Sequence, residues 1–224
     1  MQRIAVLTLL VLSLLVLPLL GTTTLAAVGG NSSELAPDLV GQLNRSNQTV
    51  TAEEESLWLR MRTLWLENVF WTRAAMVSVI QGCDNRASVQ SRLIRNCRDL
   101  EMALSPHLGN DSATKYGGMI EKNTQLTIDL ATAVGNNNLS AFESINKSML
   151  ENADSIAAFE NSSIAKLPID DRKAMWHNYL NLTRNETTEL ASKDYNASIN
   201  TFDLLEEQIN LMADSLTNGI IQNQ

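Results

Sequence analysis

Residues 51–82 read TAEEESLWLRMRTLWLENVFWTRAAMVSVIQG, and the reading of this stretch decides the fold. Thr51 followed three residues later by Glu54 is a capping box, and Glu53, Glu54 and Glu55 put three carboxylates where a helix dipole favours them. Leu57, Met61, Leu64, Trp65, Trp71, Ala75, Met76 and Val79 then recur at helical spacing for about eight turns, and Gly82 supplies the stop. Three of the chain's four Trp residues lie between positions 58 and 71. Asn68 stands among them, seven residues after Met61 and seven before Ala75, on the face that should be driest.

The same period continues toward the C-terminus. A broken pair of short helices is expected over about 85–106, closed by SPHLGN. A third helix follows over about 111–134, with Tyr116, Ile120, Leu126, Leu130 and Val134 on one face, and GNNN stops it. Further helices are expected over about 138–161, 169–191 and 194–221, with KLPIDD as the turn between the first two of these. Strand-type alternation never persists. The fold class is therefore all-α, an antiparallel up-and-down helical bundle, because short connections force neighbouring helices to reverse. An internal match at an offset of 60 pairs Leu130-Ala131 with Leu190-Ala191, Phe142 with Phe202, and ADSI at 153–156 with ADSL at 213–216. Leu139 with Ile199, Ile145 with Leu205 and Met149 with Ile209 keep that register, which suggests a duplicated helical hairpin in the second half.

Outward in the other direction, MQRIAVLTLLVLSLLVLPLL has one early cation, Arg3, and an apolar run from Ile4 to Leu20 interrupted by Pro18. TTTLAA follows, with small residues suited to cleavage. Residues 1–27 have the pattern of a secretory signal. The alternative is an uncleaved N-terminal anchor, at the short end of a membrane span. Residues 28–50, rich in Gly, Ser and Asn, read as a flexible linker, and 51–224 as the bundle domain. Either reading of the N-terminus makes the rest extracytoplasmic, secreted or tethered to the cell surface.

The formal charge is −8, without any block of basic residues. That composition excludes a nucleic-acid partner, since phosphate binding needs clustered Lys and Arg. N-x-S/T triplets start at Asn31, Asn44, Asn47, Asn110, Asn138, Asn146, Asn161, Asn181, Asn185 and Asn196. With 22 Asn and 36 Ser plus Thr in 224 residues, chance would place about three or four such acceptor sites. In an exported chain they are N-glycosylation sites; the alternative is that Asn-rich helix ends and turns attract Ser and Thr. Cys83 and Cys97 are the only cysteines. In an oxidising compartment they suggest one disulfide. A straight helix over 83–97 would hold the sulfurs roughly 20 Å apart, so the bond requires breaks at QGCDN and RNCRD.

LWLENVFWTR (64–73), ENADSIAAF (151–159), YLNLTRNET (179–187) and LMADSLTNGI (211–220) resemble a family of uncharacterised helical proteins of spore-forming bacteria and methanogenic archaea. The resemblance covers residues 57–222. It implies a helical fold and no activity. It also implies His at the positions of Asn68, Asn123 and Tyr179, and this chain departs from the pattern at all three. Some members of that family carry a kinase label, which nothing here supports: the chain has no G-x-x-x-x-G-K-[ST].

Asn68 has counterparts. Thr72 lies one turn beyond it. Asn123 sits three after Ile120, with Thr127 one turn on; Tyr179 sits four after Met175, with Thr183 one turn on; Asn152 lies between Met149 and Ile156. Each unpartnered buried amide would cost roughly 1–3 kcal/mol, so these side chains are expected to meet in one polar layer across the bundle. Such a layer either fixes helix register or lines a small-ligand pocket made by Asn68, Thr72, Asn123, Thr127, Asn152, Tyr179 and Thr183. The Trp residues read as core and rim packing, and Arg73 and Asp154 as a cross-helix pair. No catalytic or metal site is expected. His107 and His177 are the only His residues, with Leu104 and Ala174 where a di-iron bundle would need Glu three before each; zinc motifs need more His or Cys, and no G-x-S-x-G occurs. The expected function is an exported, non-enzymatic structural or interaction module without cofactor, meeting a protein or envelope partner and touching a membrane only through an uncleaved N-terminal segment; the alternative is an extracytoplasmic small-ligand-binding bundle.

Overall fold

A computed structural model describes residues 51–164 and 168–222. The signal or anchor reading of 1–27, the linker of 28–50 and the triplets at Asn31, Asn44 and Asn47 lie outside the described residues. The described part is an all-α helical bundle of six helices: α1 (Ala52–Ile80), α2 (Arg86–Leu108), α3 (Asn110–Gly135), α4 (Leu139–Ser163), α5 (Ile169–Ser192) and α6 (Tyr195–Ile221).

Helix α1 starts as its sequence dictates. The Thr51 hydroxyl accepts the Glu54 N–H at 3.2 Å, and the Glu54 carboxylate accepts the Thr51 N–H at 2.7 Å, so two of the four orphan donors at this end are satisfied. Leu57, Met61, Leu64, Trp65, Val69, Ala75, Met76 and Val79 are all buried. Trp71 is half-buried against α2, where the Arg92 guanidinium lies over its ring. The principal helix contacts form a closed scheme. Helices α1, α3 and α5 touch one another; α2 packs on α1 and α3, α4 on α3 and α5, and α6 on α5 and α1.

Three helices end alike. Gly82, Asn137 and Lys193, 55 and 56 residues apart, all have left-handed backbone (φ 67°, 53° and 62°). Behind each, the next residue's N–H reaches a carbonyl five residues back: Cys83 to Ser78, Asn138 to Ala133, Asp194 to Glu189. This is the Schellman arrangement, which satisfies carbonyls left over at a helix end. These ends recur at 55 and 56 residues and include α1, whereas the sequence matches suggested an offset of 60 confined to the second half. Leu139 and Ile199, paired in that register as apolar seam positions, are both exposed.

Helix α2 corrects a second expectation. It runs unbroken through RNCRD, and Cys83 and Cys97 are free thiols. Cys97 is buried mid-helix, its thiol directed at the Leu93 carbonyl and the Thr124 hydroxyl (3.6 Å), while Cys83 lies in the turn before the helix. Of the two expected breaks, QGCDN is a turn and RNCRD is not; Asn96 within RNCRD is satisfied across the helix pair and leaves the α2 backbone intact. Burial pushes the Cys97 thiol up to about 11, so it is a poor nucleophile.

Two measurements check these features. Lys193→Gly removes the strain of a side chain at left-handed φ and should stabilise the fold by about 1 kcal/mol, read as a shifted urea midpoint with unchanged slope. A thiol reagent at pH 8 should label Cys83 quickly in native protein and Cys97 only after denaturation; a disulfide would leave both unlabelled.

Candidate functional site

All seven residues expected on the polar seam are buried: Asn68, Thr72, Asn123, Thr127, Asn152, Tyr179 and Thr183. Six of them occupy equivalent places on three helices. Asn68 and Thr72 on α1, Asn123 and Thr127 on α3, and Tyr179 and Thr183 on α5 stand 55 and 56 residues apart, the spacing of the helix ends. They fall where the apolar core divides. One cluster includes Trp65, Val69, Cys97, Ile120 and Leu180. The other includes Ala75, Met76, Leu93, Ile128, Ala131 and Leu190.

Most of the layer is satisfied within the protein. Asn68 Nδ2 donates to Asn96 Oδ1 (2.9 Å), and Asn96 Nδ2 donates to the Leu64 carbonyl (3.0 Å). Asn96, fully buried on α2, was not among the expected residues, and it is the direct partner of the amide that first drew attention. Burial pushes the Tyr179 hydroxyl up to about 12, and the neighbouring Thr183 and Thr72 hydroxyls work against that shift. Thr127 and Thr183 turn back to carbonyls of their own helices, those of Asn123 and Tyr179. Asn123 Oδ1 is buried without a partner.

Asn152 has a different job from the other six. Its Nδ2 donates to the Met119 carbonyl (3.1 Å), just as Gln208 Nε2 donates to the Met175 carbonyl (3.0 Å) and Asn96 to that of Leu64. In each case an amide on the second helix of a pair fastens to backbone of the first, and the three carbonyls are again 55 and 56 residues apart. None of the seven seam residues lines the four surface grooves found. The largest, about 610 Å³, lies where the C-terminal ends of α1, α3 and α5 gather, bordered by Gln81, Asn137, Ser192, Lys193 and Tyr195.

A more strongly polar centre lies among α3, α4 and α5. Glu160 and Arg172 are both buried. Arg172 Nε and Nη2 donate to Glu160 Oε2 at 2.7 and 2.6 Å, Trp176 Nε1 donates to the same oxygen at 3.2 Å, and the Tyr116 hydroxyl donates to Oε1 at 2.8 Å. Burial first, and the Glu160 charge second, raise the Tyr116 hydroxyl well above its ordinary value, so it remains a donor. The signal was present in the sequence: Asn152, Ile156 and Glu160 fall four apart, and Arg172 stands four before Trp176. Trp176 in turn meets Trp65 edge-on, centroids 6.0 Å apart.

Arg73 corrects another expectation. It pairs with buried Glu186 and donates to the Ser198 carbonyl at 3.3 Å, while Asp154 pairs with Lys173 (3.4 Å) and His177 (2.9 Å). Arg73 and Asp154 share the chain's charge pattern but face different neighbours. Burial works against ionisation of Asp154, but hydrogen bonds from His177 and Lys173 outweigh it and hold the carboxyl below its ordinary value. The stabilisation is therefore present above the ordinary carboxylate range and is lost as pH falls through the lowered value.

Among the described residues no group of three or more His, Cys, Asp or Glu is placed to hold a metal ion, and no helix is long and apolar enough to cross a membrane. Of the triplet asparagines, Asn110, Asn138, Asn161, Asn181, Asn185 and Asn196 are exposed and Asn146 is half-buried. The four buried asparagines, Asn68, Asn96, Asn123 and Asn152, start no triplet. No family model, curated protein or solved structure matches this chain, so the resemblance to the helical family rests on the four stretches quoted for it.

Glu160→Leu alone strands the Arg172 guanidinium in a dry site and should cost about 3–5 kcal/mol. Glu160→Leu with Arg172→Met should recover only part of that loss, because an apolar pair of similar volume replaces two desolvated charges while the Tyr116 hydroxyl and the Trp176 indole N–H lose their acceptor. Urea denaturation of the single and double variants checks both.

Proposed function

We propose that this chain is an exported helical module that acts through its surface as a secreted or cell-surface structural or interaction protein, without catalysis. The observation that carries the reading is the placing of its glycosylation triplets. All seven described acceptor asparagines reach the surface, wholly or in part, while every buried asparagine among the described residues lies outside a triplet. The Asn138 side chain accepts the Ala141 N–H through Oδ1; a sugar on Nδ2 leaves that helix cap in place. The signal-like segment 1–27 supports the same reading, and the partner it points to is a protein or envelope component. Kinship with the helical proteins of spore-forming bacteria and methanogenic archaea belongs to the same proposal.

A second reading has one observation in its favour. Asn123 Oδ1 is a buried acceptor that no protein donor reaches, which is what a small donor-bearing ligand at the polar layer would use. Asn123→Leu distinguishes the two. A structural layer loses only an unsatisfied acceptor, so stability should hold or rise, whereas a ligand site should lose a small bound mass seen in native mass spectrometry. Asn68→Leu leaves Asn96 Oδ1 unpaired and should cost about 1–3 kcal/mol under either reading.

The principal test is the mass of the protein purified from its host's surface fraction, before and after enzymatic removal of N-linked sugars. The expected result is a chain lacking residues 1–27 and carrying sugar increments that the treatment removes. A bare chain retaining residues 1–27 overturns export and glycosylation together.

A further inference from the structure

The outer face made by α2, α1 and α6 carries none of the described acceptor asparagines beyond Asn196, at the first turn of α6; the rest lie at the start of α3, in the turn before α4, on α4 or on α5. That same face exposes large apolar side chains. On α1, Leu59 is 62 % and Phe70 56 % exposed, and Met102 on α2 is 60 % exposed. Phe70 stands between two neighbours that mark the flanks: Trp71 lies under Arg92 of α2, and Arg73 stacks on Phe202 of α6. Leu59 lies eleven residues before Phe70, three full turns, and so shares its outward direction. With Leu66 between them, half-buried, they form an apolar stripe down the middle of the face.

The flanks differ in charge. Arg95 and Arg98 are exposed on α2, and Asp203, Glu206 and Glu207 are exposed on α6, with Asp203 close enough to act on Arg73. Basic edge, apolar stripe and acidic edge lie side by side. We propose that this face is the interface with a second copy of this chain. A twofold axis running along α1 lays stripe on stripe and sets the Arg95 and Arg98 edge of each copy against the Glu206 and Glu207 edge of the other. Axes in the other in-plane direction oppose like charges. The stripe from Leu59 to Val77 is about 27 Å long at 1.5 Å per residue, and three helices abreast at roughly 10 Å spacing make about 800 Å², the area each partner contributes to a standard stable interface.

Sedimentation equilibrium of the purified full chain tests this, with and without sugars, because the interface does not rest on glycosylation. The wild type should be a dimer. Phe70→Asp should weaken it at least about 30-fold, as expected for the centre of an interface, with helix content unchanged. Leu211→Asp, exposed on α6 but on the side turned from α1, should leave the dimer intact. Arg95→Glu with Arg98→Glu should be monomeric alone, and so should Glu206→Arg with Glu207→Arg. Mixed in equal amounts, the two should form a heterodimer, because both edges are then complementary. The proposal is overturned by a wild-type monomer at concentrations up to about 100 μM, by a dimer indifferent to Phe70→Asp, by charge variants that remain monomeric when mixed, or by a monomer that uses Phe70 to hold a different envelope protein.

Discussion

Glu160 takes a carboxylate out of water and gives it four donor contacts. Removing such an ion pair from solvent costs several kcal/mol per charge, and only near-complete hydrogen bonding returns that cost. Here the return comes from three helices at once: Tyr116 on α3, and Arg172 and Trp176 on α5, around a carboxylate on α4. No helix of the three can slide by one residue without stranding a buried charge or an indole N–H. The consequence is a fixed register for half of the bundle. Trp176 passes it to α1 through its edge contact with Trp65.

The polar layer extends the same constraint to the rest of the core. Asn68, Asn96, Thr72 and Thr183 are buried beside the apolar clusters, with Asn68 and Asn96 joined across α1 and α2 and Thr183 returned to its own backbone. Apolar packing alone is tolerant of small shifts, whereas a hydrogen-bonded amide inside a dry core has one good position. The three amides that fasten second helices to first-helix carbonyls, Asn96, Asn152 and Gln208, do the same at a shorter range. A core with a single arrangement limits local opening, which would otherwise expose backbone to proteases.

Much of this was legible in the chain. Helical period, Gly and Asn stops and the Thr51 box located the elements, and the spacing of Asn68, Asn123, Asn152 and Tyr179 from neighbouring apolar residues assigned them correctly to the interior. Partners were less legible. A period says which side of a helix a residue occupies but not which residue of another helix lies opposite, so Asn96 and Glu160 passed unremarked and Arg73 was joined to the wrong acid. The α2 break failed for a related reason. Asn96 in RNCRD looks like a stop signal, yet a polar residue satisfied across the helix pair has no need to bend the backbone. The recurrence at 55 and 56 residues was not legible, because the equivalence of the helix ends lies in backbone conformation and not in residue type: Gly82, Asn137 and Lys193 share a φ sign and little else.

The closed scheme of contacts, in which α6 returns to α1, also governs how the molecule comes into being. Arg62 on α1 meets Asp214 on α6, so α1 keeps one flank bare until α6 has emerged. At a synthesis rate of 5–20 residues per second, the interval between completing α1 and completing α6 is roughly seven to thirty seconds. During that time the flank that will meet α6 is open to any chaperone or export machinery able to hold an apolar helix. A chain that shuts only with its final helix stays threadable for as long as it is being made.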